Sequence, residues 1–165
     1  MYKRQVQIGY EIIDLRQQKA RVGVEPEGAV VAKPKTYSGS CHCGSVKYQA
    51  IDVSDIWYCH CRQCQHLTGH FVSAAGVKRQ NLKIFGAVNW LPISQASQSG
   101  HCKSCGSYLF WDSKGFDTIS LLAGSLDETS GLNVKGHIFV SEKADYYSIT
   151  DGLPQYDGYP PTGTR

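Results

Sequence analysis

The sequence has few charged residues, no long apolar run and little helical periodicity, and each shortage excludes a class of protein. Charged residues make up 19% of the 165 residues and hydrophobic residues 41%, a balance typical of a globular chain and not of a disordered one. No apolar run approaches the roughly 18 residues that a membrane-spanning helix needs. No apolar segment follows Lys3 and Arg4, so no secretory signal is expected and we predict a cytoplasmic protein.

A surplus of positive charge is also missing from most of the chain. The formal net charge is +3, and residues 1–36 carry all of it, with seven Lys or Arg and four Asp or Glu. Residues 37–165 carry ten of each sign. Because a zinc-bound module that grips nucleic acid usually shows a basic stripe, this balance disfavours a nucleic-acid binder.

What the sequence does contain is a set of seven cysteines in three clusters. Two pairs flank a central triplet: Cys41 and Cys43, then Cys59, Cys61 and Cys64, then Cys102 and Cys105. Disulfides are disfavoured because seven is odd and because a bridge between cysteines one residue apart would be strained. Free structural cysteines usually lie singly among apolar residues, whereas polar residues and glycine surround these. Clustered cysteines in such a chain therefore indicate a metal, and we predict zinc.

The clusters predict two zinc ions per chain, held in different ways. The outer pairs together offer four sulfur atoms, the closed tetrahedral set of a structural zinc, and Gly44 and Gly106 permit the turn after each pair. The triplet offers three sulfur atoms, which leaves a fourth position open to water or substrate, as in catalytic zinc sites. The alternative is a second closed site completed by His60, His66 or His70.

Short alternating segments from Thr36 onward predict a mainly β fold of short antiparallel strands with little helix and with the metal sites at strand ends. We expect a zinc-binding domain over residues 37–157. Residues 1–36 form an N-terminal extension, partly ordered or weakly helical, and residues 158–165 form a loose tail.

Individual elements can also be predicted. Arg62 to Thr68 favours one helical turn that ends at Gly69. The nearly all-apolar segment Thr118 to Gly124 favours a central strand. Leu82 to Phe85 and Val88 to Ile93 favour a hairpin-like pair.

The cysteine-bearing segments, together with three later ones, resemble the family of glutathione-dependent formaldehyde-activating enzymes, which also includes centromere protein V. The segments are Ser38–Gly44, Cys59–Cys64, Cys102–Gly106, Gly124–Asp127, His137–Lys143 and Asp151–Tyr156. The last two are typical of the general branch of the family. The resemblance covers residues 37–157 and implies the Mss4-like fold, a β-rich body stapled by zinc.

The resemblance also implies a function and assigns the ligands. It implies a structural zinc held by Cys41, Cys43, Cys102 and Cys105 and a catalytic zinc held by Cys59, Cys61 and Cys64. The activity implied is that of a carbon–sulfur lyase joining formaldehyde to glutathione, which gives S-(hydroxymethyl)glutathione. Its partners would be a small thiol, such as glutathione, and an aldehyde. The alternative is a zinc-stapled binding module without catalysis.

Three histidines are interpreted from their surroundings in the sequence. His60 and His66 are taken as solvated surface histidines, with proton relay beside the metal as the alternative. His137 lies in an alternating segment and is expected to be structural.

Overall fold

Two β-sheets form the part of the chain that the computed structural model describes, residues 34–161. The strands are β1 (Thr36–Ser40), β2 (Lys47–Ile51), β3 (Ile56–Cys59), β4 (Val72–Lys78), β5 (Leu82–Phe85), β6 (Val88–Pro92), β7 (Ser97–Cys102), β8 (Tyr108–Ser113), β9 (Thr118–Leu122), β10 (Val134–Ile138) and β11 (Gln155–Tyr156). Within these residues helix is limited to α1 (Arg62–Thr68) and to short 3-10 turns at Arg79–Asn81, Ala123–Ser125 and Val140–Glu142. The prediction of a mainly β fold with little helix is confirmed.

The ends of the chain are described only in part. The N-terminal extension predicted over residues 1–36 lies outside the described residues except at its C-terminal end. The domain boundaries at 36 and 157 therefore stay predictions. Among residues 34–161, no helix is long and apolar enough to cross a membrane.

The smaller sheet has the strand order β1-β2-β5, and all its pairs are antiparallel. Its strands alternate as predicted, so that Tyr37, Tyr48 and Ala50 are buried while their neighbours are exposed. Gly39 allows this packing, because a Cβ atom there would lie 2.2 Å from the Tyr48 ring. A side chain at this position would push β1 away from β2.

The larger sheet has the strand order β11-β10-β3-β4-β9-β8-β7-β6. The apolar strand β9 lies in its interior, between β4 and β8, as its composition predicts. Most pairs are antiparallel, but β10 runs parallel to both β3 and β11. This parallel pairing was not predicted, and it brings β10 beside β3, the strand that ends at Cys59 of the triplet.

The predicted hairpin across Gly86 is wrong. Strand β5 pairs with β2 in the smaller sheet, and β6 pairs with β7 in the larger sheet. Gly86 has a φ of +98°, and a Cβ atom there would lie 2.1 Å from the carbonyl oxygen of Ser45. The chain thus passes from one sheet to the other at this glycine. Alternation identified both strands but carried no information on their partners.

One hydrophobic core joins the two sheets and reaches the outer cysteine pairs. The ring of Tyr48, from the smaller sheet, meets the ring of Phe110, from the larger sheet, edge-on at 5.3 Å between centroids. The Tyr48 hydroxyl shares a hydrogen bond of 2.7 Å with Ser125 Oγ. Cys41 and Cys102 are buried in the same core, so packing of the sheets also brings two of the outer cysteines together.

Candidate metal centres

The outer cysteine pairs form a cluster of four sulfur atoms. Cys41 and Cys43 lie in the turn between β1 and β2, Cys102 ends β7, and Cys105 lies in the turn that leads to β8. The four sulfur atoms lie within 4.8 Å of one another. Cys43 Sγ is 3.5 Å from Cys41 Sγ and 3.8 Å from Cys102 Sγ. Because zinc–sulfur bonds of about 2.3 Å give a tetrahedron with edges of about 3.8 Å, the cluster fits such an ion.

The two turns of this cluster have closely related backbones. Cys41 N donates to Val46 O and Cys102 N donates to Ser107 O, both at 2.9 Å. The glycine that follows each pair has a positive φ, +73° in the first turn and +75° in the second. Each turn contributes one buried and one exposed cysteine. The predicted role of the two glycines is confirmed in conformation, since L-residues other than glycine rarely adopt these angles.

The central triplet forms a second cluster, from a single segment of chain. Cys59 is the last residue of β3, Cys61 is the N-cap of α1, and Cys64 lies in the first turn of that helix. Their sulfur atoms lie within 4.8 Å of one another, and all three residues are half-buried. Cys61 Sγ also accepts from Cys64 N at 3.4 Å. All seven cysteines are free thiols, and both clusters could hold a metal ion.

Of the three sulfur atoms in the triplet, only that of Cys61 is placed where a negative charge is favoured. Hydrogen bonds from Cys59 and Cys64 hold the pKa of the Cys61 thiol far below its usual value. The same contact with Cys61 raises the pKa of Cys59 to about 12, and the pKa of Cys64 is raised by its contacts with both other sulfurs. Two of the three thiols thus resist ionisation until a cation balances the charge, which is the behaviour expected of a metal-binding set.

No histidine nitrogen belongs to either sulfur cluster in the part of the chain that the structure describes. His66 is exposed, as its interpretation requires. His70 is exposed as well, and its Nδ1 lies 3.3 Å from the Tyr146 hydroxyl. Among residues 34–161, no histidine therefore completes the triplet as a fourth ligand.

His60 is fully buried, and its interpretation as a solvated surface residue is wrong. Its exposed fraction is 0%. Both ring nitrogens are engaged, Nδ1 with the Tyr147 hydroxyl at 2.6 Å and Nε2 with His137 Nδ1 at 2.8 Å. Burial, together with the nearby His137 and Lys143, lowers the pKa of His60 to about 4. The ring is therefore neutral, and with both nitrogens engaged it is not available as a metal ligand.

His137 extends this contact to Asp151. It is only 3% exposed, which agrees with the structural role expected for it. Its Nε2 lies 2.9 Å from Asp151 Oδ2 and 3.1 Å from Oδ1. The backbone N–H of Leu153 lowers the pKa of Asp151, and the hydrogen bond from His137 lowers it further. Sequence reasoning missed this network, because the parallel pairing of β10 with β3 is what brings the two histidines together.

A cavity of about 690 Å³ is lined by residues of the two outer cysteine turns and by Thr68 at the end of α1, and none of the triplet cysteines is among its described lining residues. Its wall includes Cys41 and His42 from the first turn, Phe71 and Val72 where β4 begins, and Tyr108 where β8 begins. Burial raises the pKa of Tyr108, and charge on the triplet sulfurs raises it further. Tyr108 therefore lies close enough to the triplet to interact with its charge. The volume falls in the range of small-molecule sites.

Three comparisons with known proteins bear on the identity of the chain. The family model described as glutathione-dependent formaldehyde-activating enzyme matches residues 36–142. A crystal structure of a Rhodobacter sphaeroides protein is similar at 20% identity, with a TM-score of 0.48, over 59% of this chain and 97% of that one. No curated protein matches. The family match includes all seven cysteines and His137.

Proposed function

The chain belongs to the family of glutathione-dependent formaldehyde-activating enzymes, and from this premise we propose that it is a zinc-dependent enzyme of the carbon–sulfur lyase type. It acts on the adduct of a small thiol with an aldehyde, and the specific pair is glutathione with formaldehyde. One observation carries the proposal. Among the described residues, three half-buried cysteines form a cluster that no His, Asp or Glu completes, and a cavity large enough for a small molecule is lined by Thr68 at the end of α1, the helix that carries Cys64.

Two zinc ions per chain are proposed, with different roles. Both donor sets consist of thiolate sulfur alone, which suits zinc and disfavours magnesium and calcium, whose ligands are oxygen atoms. The set of four (Cys41, Cys43, Cys102 and Cys105) holds the structural ion. The set of three (Cys59, Cys61 and Cys64) holds the catalytic ion.

The proposed reaction forms one bond between carbon and sulfur and moves one proton. The thiol loses its S–H bond, its sulfur bonds to the aldehyde carbon, and the aldehyde oxygen gains a proton. Zinc bound at the triplet would supply an open position at which the substrate sulfur binds and loses its proton more readily. The chain itself orients thiol and aldehyde, and oriented reactants can gain about 7 kcal/mol or more over free ones.

Asp127 is proposed as the residue that binds the amino end of the thiol. It lines the cavity, and its carboxylate accepts from Ser38 Oγ at 2.7 Å and from Ser40 Oγ at 3.3 Å. A carboxylate has about four acceptor positions, so two remain for a ligand. Among the described residues that line the cavity it is the only carboxylate, and none of them is Lys or Arg. An ammonium group, such as that of the γ-glutamyl residue of glutathione, matches this charge.

The proposed activity can be tested by exchange NMR on glutathione and ¹³C-formaldehyde at equilibrium with their adduct. We expect the zinc-loaded protein to accelerate exchange, Cys61→Ser to leave it at the uncatalysed rate, and the exposed neighbour variant Gln63→Ala to match the wild type. If the wild type accelerates nothing and binds no small thiol, the chain is a zinc-stapled binding module without catalysis.

A further inference from the structure

A continuous chain of hydrogen bonds runs from Asp151 through the interior to Tyr147. The Asp151 carboxylate accepts from His137 Nε2 at 2.9 Å, His137 Nδ1 meets His60 Nε2 at 2.8 Å, and His60 Nδ1 meets the Tyr147 hydroxyl at 2.6 Å. The two histidines in the middle are almost completely buried, whereas the Asp151 side chain at one end is 40% exposed. All three links have good hydrogen-bond lengths.

The carboxylate at one end determines where every proton in the chain lies. An ionised carboxylate can only accept, so His137 Nε2 carries a proton. For two neutral rings, the hydrogen bond between them then requires His137 Nδ1 to accept and His60 Nε2 to donate. His60 Nδ1 is left to accept from the Tyr147 hydroxyl. Asp151 thus fixes the tautomer of both histidines, as outer partners do for histidines in metal sites.

His60 is held at every polar atom that it has. Its backbone N–H donates to Ile138 O at 2.9 Å, and its carbonyl oxygen accepts from the side-chain amide of Gln65. With both ring nitrogens engaged as well, neither its ring nor its backbone can turn without breaking a buried hydrogen bond. Because His60 is also fully buried, its backbone and side chain are held in a single conformation.

This rigidly held residue, His60, lies between two sulfur donors of the triplet. His60 separates Cys59 from Cys61, so the direction of its backbone sets where both sulfur atoms lie. The remaining donor, Cys64, lies in a helix whose Gln65 side chain binds both the His60 carbonyl and Glu142 O. The network therefore touches the whole segment that carries the triplet.

We propose that Asp151 and His137 are positioning residues for the triplet, which act through His60 to hold its three sulfur atoms ready for one metal ion. The inference rests on the proposed use of the triplet as a metal site and not on the reaction. A buried polar network that served stability alone would leave the two clusters equally affected by its loss. Loss of a positioning network lowers the metal affinity of the triplet and leaves that of the cluster of four unchanged.

The test is a competition titration of the full chain with a chromophoric chelator, using Co²⁺ and then Zn²⁺, which resolves the two sites. For Asp151→Ala we expect about 10- to 100-fold weaker metal binding at the triplet, the usual effect of losing an outer partner. Asp151→Asn should lose less, because an amide oxygen at the Oδ1 position can still accept from His137 Nε2 and from Leu153 N. The matched control is Asp145→Asn, an exposed carboxylate on the same segment, which should bind like the wild type.

Wild-type affinity at the triplet in Asp151→Ala, or equal losses at both sites, would overturn the proposal. A wild-type chain that binds a single ion would instead refute the metal assignment on which it rests. If Asp151→Ala does not fold, ¹⁵N NMR of the histidines in the wild type still decides. The proposal requires a proton on Nε2 and a bare Nδ1 in both His60 and His137, and any other tautomer in either ring contradicts it.

Discussion

The two sulfur clusters differ in what they connect. The cluster of four joins the turn after β1 to the turn after β7, so it links the two sheets across a long stretch of chain. The triplet lies within one segment, from the end of β3 to the first turn of α1. A link between distant segments removes far more freedom from the unfolded chain than a local one does. This difference favours the proposed division, with the structural ion at the cluster of four and the catalytic ion at the triplet.

The two clusters also differ in how their cysteines are buried. Cys41 and Cys102 belong to the hydrophobic core, so any loss at the cluster of four reaches the packing between the sheets. The triplet cysteines are half-buried outside that core, beside the His60 network. The same ligand type thus appears once as part of the core and once on a scaffold held by hydrogen bonds.

The largest expected effect is that of Cys102→Ser, which should unfold the protein. Structural zinc contributes about 10–16 kcal/mol in small zinc-binding peptides, and a domain is stable by only about 5–15 kcal/mol. Circular dichroism and thermal unfolding measure the loss, and Ser104→Ala in the same turn is the control. A Cys102→Ser variant as stable as the wild type would contradict the structural role proposed for the cluster of four.

Cys61→Ser should remove one metal ion and the activity while the fold survives. Serine is a good N-cap, so α1 keeps a side-chain acceptor for the Cys64 N–H. We expect a loss of about 1–2 kcal/mol, or less than about 10 °C in Tm. Metal analysis and thermal unfolding of the same sample check both parts. Retention of two ions, or unfolding as complete as that of Cys102→Ser, would contradict the proposal that the two clusters have different roles.

Asp127→Asn should weaken thiol binding without affecting either metal ion. Loss of one charge-assisted contact at a solvent-accessible carboxylate costs about 1.4 kcal/mol, or roughly tenfold in Kd. Calorimetric titration with glutathione measures it. A glutathione analogue without the γ-glutamyl amino group should bind wild type and variant equally, and an equal loss for both ligands would exclude the ammonium contact.

Gly106→Ala, in the second turn of the cluster of four, should lower stability alone and leave metal and thiol binding unchanged. Its φ of +75° costs an alanine about 1–2 kcal/mol, although no atom lies within 4 Å of the added Cβ. Gly124→Ala is the matched control, since its surroundings are equally open and its φ is not in the positive range. Chemical denaturation measures both, and equal stability of the two variants would remove the conformational argument for the glycine.

Local features of the fold could be predicted from the sequence. The helix Arg62–Thr68 ends where predicted, with Gly69 at a φ of +80° and its N–H donating to Gln65 O at 2.7 Å. Spacing within a turn accounts for the triplet and for each outer pair, whereas the meeting of the two outer pairs depends on the packing of the two sheets.

Features that depend on distant pairing could not be predicted. Strand β5 was identified, but its partner was not, because alternation reports burial and not which strand lies alongside. His60 was misread for the same reason. Its burial depends on His137, which a parallel pairing brings to it from far along the chain.

The central claim is that four sulfur atoms enclose one ion while three leave the other reachable. Zinc X-ray absorption spectroscopy of reduced protein, wild type beside Cys61→Ser, tests it most directly. The account predicts two ions in the wild type, one of them with three sulfur ligands and a light-atom ligand that glutathione replaces with sulfur, and only the four-sulfur ion in the variant. One ion per wild-type chain, or a second ion whose fourth ligand is an imidazole, would contradict it.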